Sequence, residues 1–523
     1  MRMQRLTPLK TRRRKWLIIA GLSIAVIALA AMTLSLFLSR WARGWIVSSL
    51  SEHYDSQVEL RNFHISLLPS VHVSGEGLVF RHKRRTDVPP LVTLESFEAR
   101  ANLLALLLPP RRFSQVVLRG LLIQVPPKQG ADKSDDERNR PKQTKKSPIV
   151  LQTIVADGTT LKIISRKPDK EPLVFDIRKL TLQSVRTDGP MHFRAVLTNA
   201  KPPGLIHSEG EFGPWYAPDP GETPISGNYT FRNANLGVFK GISGTLASDG
   251  AYRGQLGRLD VKGWTDVPDF AVSAGNHPVH LKTDFHAVVD GTNGDTLLEP
   301  VNATFLNSSV LARGGVTNKP GTKGKTVTLD VTVSQGRVED MLRLAVKSEK
   351  PILTGAISFT TKFELPPGEE DVIDKLALDG RFGIDAAKFT EFKLQEKVNA
   401  LSRSGRGEPE NENVENVVSN LKGHFVMNTG TIRFSDLSFA VPGASVRISG
   451  TYGLRTEALN FHGTVRLQAK VSEATTGVKS FFLKLVDPLF KKKNAGAVIP
   501  IKIGGTREKP SFGIDVGRTL NGQ

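Results

Sequence analysis

Apolar and polar residues alternate along most of the chain, most clearly between residues 443 and 469. There one set of alternate positions is apolar and the set between is polar: Leu459, Phe461, Val465 and Leu467 against Asn460, His462, Thr464 and Arg466. A period of two is typical of a β-strand with one buried and one solvated face. Similar runs recur between Gly, Pro, Asn and Asp turns, so the sequence predicts a mainly β fold built on a long antiparallel sheet.

The apolar face of such a sheet needs a cover. A second sheet would make a sandwich, helices could lie on the face, or the sheet could curl and enclose something apolar. Few helices are predicted, which favours a curled, groove-like sheet; about twenty strands spaced about 4.8 Å apart would extend about 100 Å if flat. The candidate groove-wall residues are Phe63, Ile65, Leu67, Val71, Val73, Ile432, Phe434, Val446, Ile448, Leu459, Phe461, Val465 and Leu467.

A few short amphipathic helices interrupt the predicted strands. EFKLQEKVNALS and NVENVVSNL look helical and belong to a helical and polar insertion at 389–420. A further amphipathic helix at 471–491 either packs on the sheet or contacts a membrane or a partner. Its apolar residues at helical spacing are Val478, Phe481, Phe482, Leu485 and Leu489. Elsewhere, Asp157-Gly158 lies between two alternating runs and predicts the turn of a hairpin.

The first apolar run is long enough to cross a membrane. Within 16–38, LIIAGLSIAVIALAAMTLSLFL carries no charge, and a helix of that length spans about 33 Å against about 30 Å for a bilayer core. The basic tail at 1–15 places the N-terminus in the cytoplasm and the bulk of the chain outside. A cleaved signal peptide ending at Ala28-Leu29-Ala30 is the alternative, but the apolar run continues past it. Residues 39–57 predict either a short amphipathic helix or an extension of the membrane helix.

The rest of the chain divides by pattern. Two β segments lie at 58–128 and 421–470, a middle β-rich region at 149–388, and terminal strands at 492–523. Residues 129–148 have charges of both signs and no apolar periodicity, which predicts a disordered polar loop.

Charge and composition restrict the partners. The net charge is +20 and there is no cysteine, which excludes disulfides, thiolate metal sites and cysteine nucleophiles. Seven of the positive charges precede the first apolar run, where they have a topological role, and an exported chain does not meet nucleic acid. The remaining surplus suits anionic lipid head groups or other polyanions. Arg433, Arg447 and Arg466 either attract such groups or are solvated side chains of the outer face.

No catalytic, cofactor or metal site is predicted, so we expect no enzyme activity. His280 and His286, near His277 and Asp284, share a polar strand face, but about 20 Å of strand separates them, too far for one ion. GTKGKT ends like a phosphate-binding loop, yet Lys319 stands where its first glycine is needed.

Several stretches resemble the AsmA family. SQVELRNFHISLLPSVHVSGEGLVF, following the first helix, is similar to the N-terminal signature of these proteins. LESFEARANLLALLLPPRRFSQVVLRGLLIQVPP and the IVLQTIVADGTTLKIIS unit continue the resemblance. At the other end, GHFVMNTGTIRFSDLSFAVPGASVRISGTYGLRTEALNFHGTVRL and IPIKIGGTREKPSFGIDV are similar to the family's C-terminal region.

The resemblance implies a single-pass protein of the bacterial inner membrane, with its bulk in the periplasm. Family members resemble bridge-like lipid transfer proteins, so phospholipid is the expected cargo, held by its acyl chains in an apolar β groove. Transport towards the outer membrane, or its maintenance, is the implied function, with outer-membrane or periplasmic proteins as possible partners. The alternative is a periplasmic scaffold or outer-membrane assembly factor without lipid cargo. The matching motifs are structural and carry no catalytic residue.

Overall fold

The structure is a computed structural model. It describes residues 10–53, 56–66, 71–82, 86–101, 111–126, 149–164, 172–186, 189–199, 201–216, 219–319, 321–406, 417–468 and 498–515. Several predictions fall outside these ranges: the loop at 129–148, the helix at 471–491 with Val478, Phe481, Phe482, Leu485 and Leu489, and the groove candidate Leu67.

The described residues form twenty-five strands and four α-helices. The strands are β1 (Ser56–Ser66), β2 (Val71–His82), β3 (Val92–Ala101), β4 (Arg111–Phe113), β5 (Gln115–Val125), β6 (Ile149–Ile163), β7 (Leu173–Val185), β8 (Met191–Asn199), β9 (Gly204–Phe212), β10 (Ile225–Asn235), β11 (Ile242–Ser243), β12 (Thr245–Gln255), β13 (Arg258–Val272), β14 (Val279–Asp290), β15 (Asp295–Phe305), β16 (Ser308–Thr317), β17 (Thr326–Arg337), β18 (Leu353–Leu365), β19 (Ala377–Phe389), β20 (Ser419–Asn428), β21 (Thr431–Val441), β22 (Ala444–Gly453), β23 (Leu459–Leu467), β24 (Val498–Gly505) and β25 (Pro510–Ile514). The helices are α1 (Lys10–His53), α2 (Val338–Ala345), α3 (Val372–Lys375) and α4 (Phe392–Arg406).

The strands pair in sequence order and make one sheet that curls into a half-barrel, which confirms the predicted mainly β fold. The short strands β4 and β11 flank it, pairing with β6 and β13. Bulges recur along the strands, for example between Phe434 and Leu437 and between Ile384 and Ala387. Each bulge bends its strand and increases the local twist, which curls the sheet.

The sheet departs from the predicted antiparallel pattern at β6, which pairs parallel with both β4 and β5. β5 and β6 run parallel, with Val116 beside Ile154 and Val125 beside Ile163. A parallel pair needs a crossover between its strands, whereas a hairpin needs only a tight turn. Here the connection falls in residues 126–148, which the sequence marks only as polar.

The hairpin predicted at Asp157-Gly158 is wrong. Both residues lie inside the single strand β6, in which Asp157 pairs with Lys179 and Thr159 with Ile177 of β7. Gly158 has φ of 68°, a left-handed conformation that glycine adopts readily. Because β7 pairs in the same register on both sides of Gly158, the chain continues instead of reversing.

Helix α1 runs unbroken from Lys10 to His53, so the segment after residue 38 extends the first helix, and strand β1 already begins at Ser56. The helix lies along β1 and forms hydrogen bonds with its backbone. Arg43 Nε donates to the carbonyl oxygen of Leu60 at 2.9 Å, and Ser39 Oγ accepts from the amide of Ile65 at 2.9 Å. These bonds cover an edge that could otherwise pair with another chain.

None of the helices in the described part of the chain is both long and apolar enough to span a membrane.

Helices α1, α2 and α4 each cover one apolar patch of the sheet. α1 packs through Ala42, Ile46 and Val47 against an apolar cluster whose other residues come from β1 to β7. α2 covers a cluster on β18 to β20, and α4 covers one on β21 to β24 through Val398 and Leu401. α4 lies in the predicted insertion at 389–420, but the stretch NVENVVSNL there is not helical throughout, because β20 begins at Ser419.

The curled sheet has two long rims, formed by the alternate ends of its strands. The Ser56 rim contains the start of β1 and the turns after β8, β10 and β13. The Ser66 rim contains the end of β1 and the turns after β18 and β22. Residues 366–376, which we call the strap, include α3 and join β18 to β19 on the Ser66 rim.

The strap touches the opposite rim. The amide of Val372 donates to the carbonyl oxygen of Lys240 at 2.9 Å, and Ser273 Oγ donates to Asp371 Oδ2 at 3.4 Å. Lys201 Nζ lies 3.5 Å from Glu369 Oε1. The two rims therefore meet where the strap faces the Ser56 rim of β8 to β13, and the half-barrel is bridged there.

Candidate functional site

One face of the sheet, which we call the inner face, can be followed by cross-strand pairing through nearly the whole sheet. In the N-terminal half a row of paired residues runs Phe63, Gly75, Phe97, Leu118, Ala156, Leu180, Ala195, Ser208, Tyr229, Gly250, Gly263 and Phe285. In the C-terminal half a row on the same face runs Ala287, Leu298, Gly314, Leu329, Phe363, Leu378, Met427, Ile432, Tyr452 and Leu459. Neither row contains a charged side chain.

The sheet curls around this inner face. Phe63 of β1 and Leu182 of β7 belong to one apolar cluster, which continues over the four strands of the main sheet between them. In the middle of the sheet, Leu298, Leu329 and Leu378 belong to none of the helix-covered clusters and are half-buried. The inner face therefore lines a trough whose wall is covered by helices only in places.

Glycines on the inner face give room to aromatic rings of neighbouring strands. A Cβ on Gly75 would lie 2.4 Å from the ring of Phe97, and one on Gly450 would lie 2.8 Å from the ring of Phe461. The rings lie along the sheet over these glycines, a known way for a sheet to compensate for glycine. At the C-terminal end the rings of Phe382, Phe425, Phe434 and Phe461 form a chain with centroids 5.8 to 6.2 Å apart.

All described groove candidates lie on the inner face, but they differ in cover. Those near the N-terminus pack beneath α1, and four of those near the C-terminus pack with α4. The first group is Phe63, Ile65, Val71 and Val73, and the second is Val446, Ile448, Val465 and Leu467. The others, Ile432, Phe434, Leu459 and Phe461, lie outside the helix-covered clusters. The helix-covered residues make the protein's own core, so the open part of the trough is smaller than the candidate set.

A group of hydroxyls interrupts the apolar inner face on β9 to β14. We call it the waist: Ser208, Tyr229, Ser248, Tyr252, Thr265 and Thr283. Tyr252 of β12 passes over Gly227 of β10, and its hydroxyl lies 2.7 Å from Ser208 Oγ on β9. Tyr229 of β10 lies over Gly250 of β12, and its hydroxyl lies 3.1 Å from Ser248 Oγ. The two tyrosines thus lie flat on the sheet and point in opposite directions.

Burial raises the pKa of both Tyr229 and Tyr252, because removal from water disfavours the phenolate. Both phenols are therefore neutral at physiological pH, and the waist adds polarity to the inner face without adding charge.

The outer face carries the charges. Arg433, Arg447 and Arg466 all lie on it and are exposed. The histidines considered for a metal site pair with separate carboxylates: His280 Nε2 lies 2.5 Å from Asp266, and His286 Nε2 lies 2.9 Å from Asp260. Among the residues that the structure describes, no three His, Asp or Glu side chains form a metal site.

The sequence did not reveal the waist or the strap. The only signal for the waist is the repeat of Gly and Tyr in GNYTF and GAYRG, and its meaning depends on which strands pair. Searches against protein-family models, curated proteins and solved structures found no match to this chain.

Proposed function

We propose that the chain is a membrane-anchored, periplasmic lipid-handling protein of the AsmA type. In this proposal the inner face shields phospholipid acyl chains during transport towards the outer membrane or its maintenance. The observation that supports it is the uncharged, largely apolar inner face that continues through successive strands. An acyl chain needs only apolar surface, with about 25 cal/mol gained for each Å² removed from water. A charged head group would lose its hydration in such a trough without a partner, so heads would stay in water.

The exposed side chains of α1 support the anchor. Leu22 and Phe37 are 68% and 69% exposed, and Leu29, Met32 and Leu36 are also more than half exposed. Soluble proteins rarely leave such a patch open to water. In the proposal a bilayer covers these side chains, the basic N-terminal tail stays in the cytoplasm, and the sheet lies in the periplasm.

Site-specific photo-crosslinking in living cells tests the cargo. A photoreactive amino acid at Leu329, on the open inner face, is paired with one at Thr328, the exposed neighbour that points outward on the same strand. Ile432 and Arg433 form a second matched pair on β21. We expect phospholipid adducts at Leu329 and Ile432 and none at Thr328 and Arg433, measured by lipid mass spectrometry of the purified chain.

Adducts to protein alone at all four positions, with no phospholipid recovered, would instead favour the periplasmic scaffold or assembly factor without cargo. Equal lipid adducts on both faces would indicate membrane contact rather than a groove.

Cysteine labelling tests the location. The natural chain has no cysteine, so Thr464→Cys, on the exposed outer face of β23, gives a single label site. We expect a membrane-impermeant maleimide to label it once the outer membrane is permeabilised, while a cysteine in the N-terminal tail stays unlabelled until the inner membrane is opened. Early labelling of the tail would contradict the proposed orientation.

A further inference from the structure

The waist has a fixed direction of hydrogen bonding. Ser208 Oγ donates its one proton to the carbonyl oxygen of Asn228 at 3.0 Å, so the hydroxyl of Tyr252 must be the donor to Ser208. Ser248 Oγ donates in the same way to the carbonyl oxygen of Trp264 at 2.8 Å, so Tyr229 donates to Ser248. Each tyrosine hydroxyl therefore donates its proton to a serine of the sheet. Each phenolic oxygen can then only accept a hydrogen bond from a ligand.

The other hydroxyls of the waist add few hydrogen-bond donors for a ligand. Thr265 and Thr283 bond to each other at 2.5 Å, which uses one of their two protons and leaves one at most for a ligand. No lysine or arginine lies on the inner-face positions of these strands. The waist thus offers hydrogen-bond acceptors without a positive charge.

The strap contacts the same strands that carry the waist. Lys201, Lys240 and Ser273, the strap's partners, lie in the turns of β8 to β13 at the Ser56 rim. A group held at the waist is therefore in the bridged part of the trough. There a phosphate would lose water and meet acceptors where it needs several donors or a cation.

We propose that the waist is a binding site for the head of a neutral diacyl lipid with a free hydroxyl, such as diacylglycerol, and that it excludes a phosphate at the same position. The proposal rests on the lipid-handling function proposed above and adds a substrate preference to it. The hydroxyl of the lipid donates to the phenolic oxygen of Tyr229 or Tyr252, while its acyl chains lie on the apolar wall on either side. Phospholipid chains pass the waist with their heads outside the bridged part.

A competition between two lipids that differ only in phosphate tests the site. The full chain is incubated with phosphatidylcholine vesicles containing equal amounts of diacylglycerol and phosphatidic acid with the same acyl chains, and the retained lipids are measured by mass spectrometry. One hydrogen bond corresponds to about threefold to tenfold in affinity, so we expect diacylglycerol to be enriched over phosphatidic acid by about that factor.

Two variants test whether the waist causes the enrichment of diacylglycerol. Tyr229→Phe combined with Tyr252→Phe should return the ratio to that of the vesicles while total retained lipid stays the same. Ser208→Ala combined with Ser248→Ala frees the tyrosine protons to donate, so phosphatidic acid should be retained better than by the natural chain. The matched control is Tyr452→Phe, an inner-face tyrosine outside the waist, which should keep the natural ratio.

The outcomes separate the two proposals. Lipid retained at the vesicle ratio by the natural chain, or an enrichment that survives loss of both waist tyrosines, overturns the waist site and leaves lipid handling intact. No lipid retained by the natural chain overturns lipid handling and the waist site with it. If the tyrosine variant does not fold, the serine variant still decides the question.

Discussion

The rings of Phe434 and Phe461 touch, with centroids 5.8 Å apart, although β22 lies between their strands. They meet because Gly450 of β22 is the cross-strand partner of both and has no side chain. The contact shows how the C-terminal wall is built: aromatic rings from alternate strands close over a glycine and form a continuous surface.

Gly450→Ala should disrupt this wall. Its Cβ would lie 2.1 Å from the carbonyl oxygen of Asn460 and 2.8 Å from the ring of Phe461, so the neighbouring strand or the ring must shift. We expect a loss of about 1 to 3 kcal/mol in the free energy of unfolding, measured by urea denaturation.

Gly513→Ala is the matched control, because no atom lies within 4 Å of its Cβ position on β25. It should change the free energy of unfolding by less than about 0.5 kcal/mol. Equal effects of the two substitutions would mean that the cost comes from strand conformation and not from the ring contact.

Asp340 of α2 should be a stability residue. It is 4% exposed, and its Oδ2 accepts from Ser308 Oγ at 2.7 Å and from the amide of Asn307 at 3.0 Å. Asp340→Ala would leave the buried hydroxyl of Ser308 and the amide of Asn307 without this acceptor, so we expect a loss of about 2 to 3 kcal/mol in the free energy of unfolding, measured by urea denaturation.

Asp340→Asn keeps an acceptor oxygen and should cost less than Asp340→Ala. Glu349→Ala, an exposed carboxylate shortly after the helix, is the control and should be near neutral. A neutral Asp340→Ala would show that the turn between β15 and β16 finds other partners.

The attachment of α1 to β1 gives a third prediction. Ser39→Ala combined with Arg43→Ala removes the two hydrogen bonds that these side chains make to the β1 backbone. The amide of Ile65 should then exchange its hydrogen several-fold faster, measured by hydrogen exchange with mass spectrometry. Ser48→Ala is the control: its hydroxyl donates within the helix to the carbonyl oxygen of Trp45, so the exchange at Ile65 should stay unchanged. Unchanged exchange in the double variant would mean that apolar packing alone holds the helix on the edge.

The alternation of residues was enough to predict the mainly β fold and the face on which each described groove candidate lies. Phe461 and Ile432 lie on the inner face because a period of two fixes the side of the sheet once the strand is known. The alternation could not predict which candidates a helix covers. Val465 has the same pattern as Phe461, but only Val465 belongs to the cluster under α4.

Features that depend on which strands pair could also not be predicted from the sequence. The parallel step between β5 and β6 leaves no local mark, since both strands alternate like their antiparallel neighbours. The waist requires knowing that Tyr229 faces Gly250 and that Tyr252 faces Gly227. Gly158 was ambiguous for a different reason, because glycine adopts a positive φ within a strand, as here, as well as in a hairpin turn.

Arg455 anchors the strap to its own rim. Its Nε and Nη2 donate to the two carboxylate oxygens of Asp374 at 3.0 and 2.7 Å, and Nη2 also lies 3.2 Å from Asp371. Asp371 in turn caps α3 by accepting from the amide of Ile373. Arg455→Ala should loosen α3 and speed hydrogen exchange at the amide of Val372, which bonds to the opposite rim, while Arg433→Ala on the outer face should not.

The same contact predicts a dependence on pH. The hydrogen bond from Arg455 lowers the pKa of Asp374 below its usual value. A carboxylate with a lowered pKa stabilises the fold fully above its unfolded pKa of about 4, and that contribution is lost as the pH falls through the lower folded value. Protection of the Val372 amide against exchange should therefore decrease in the natural chain as the pH is lowered past about 4. In Arg455→Ala it should already be low at neutral pH and change less on acidification. An equal loss on acidification in both chains would show that another group governs the strap.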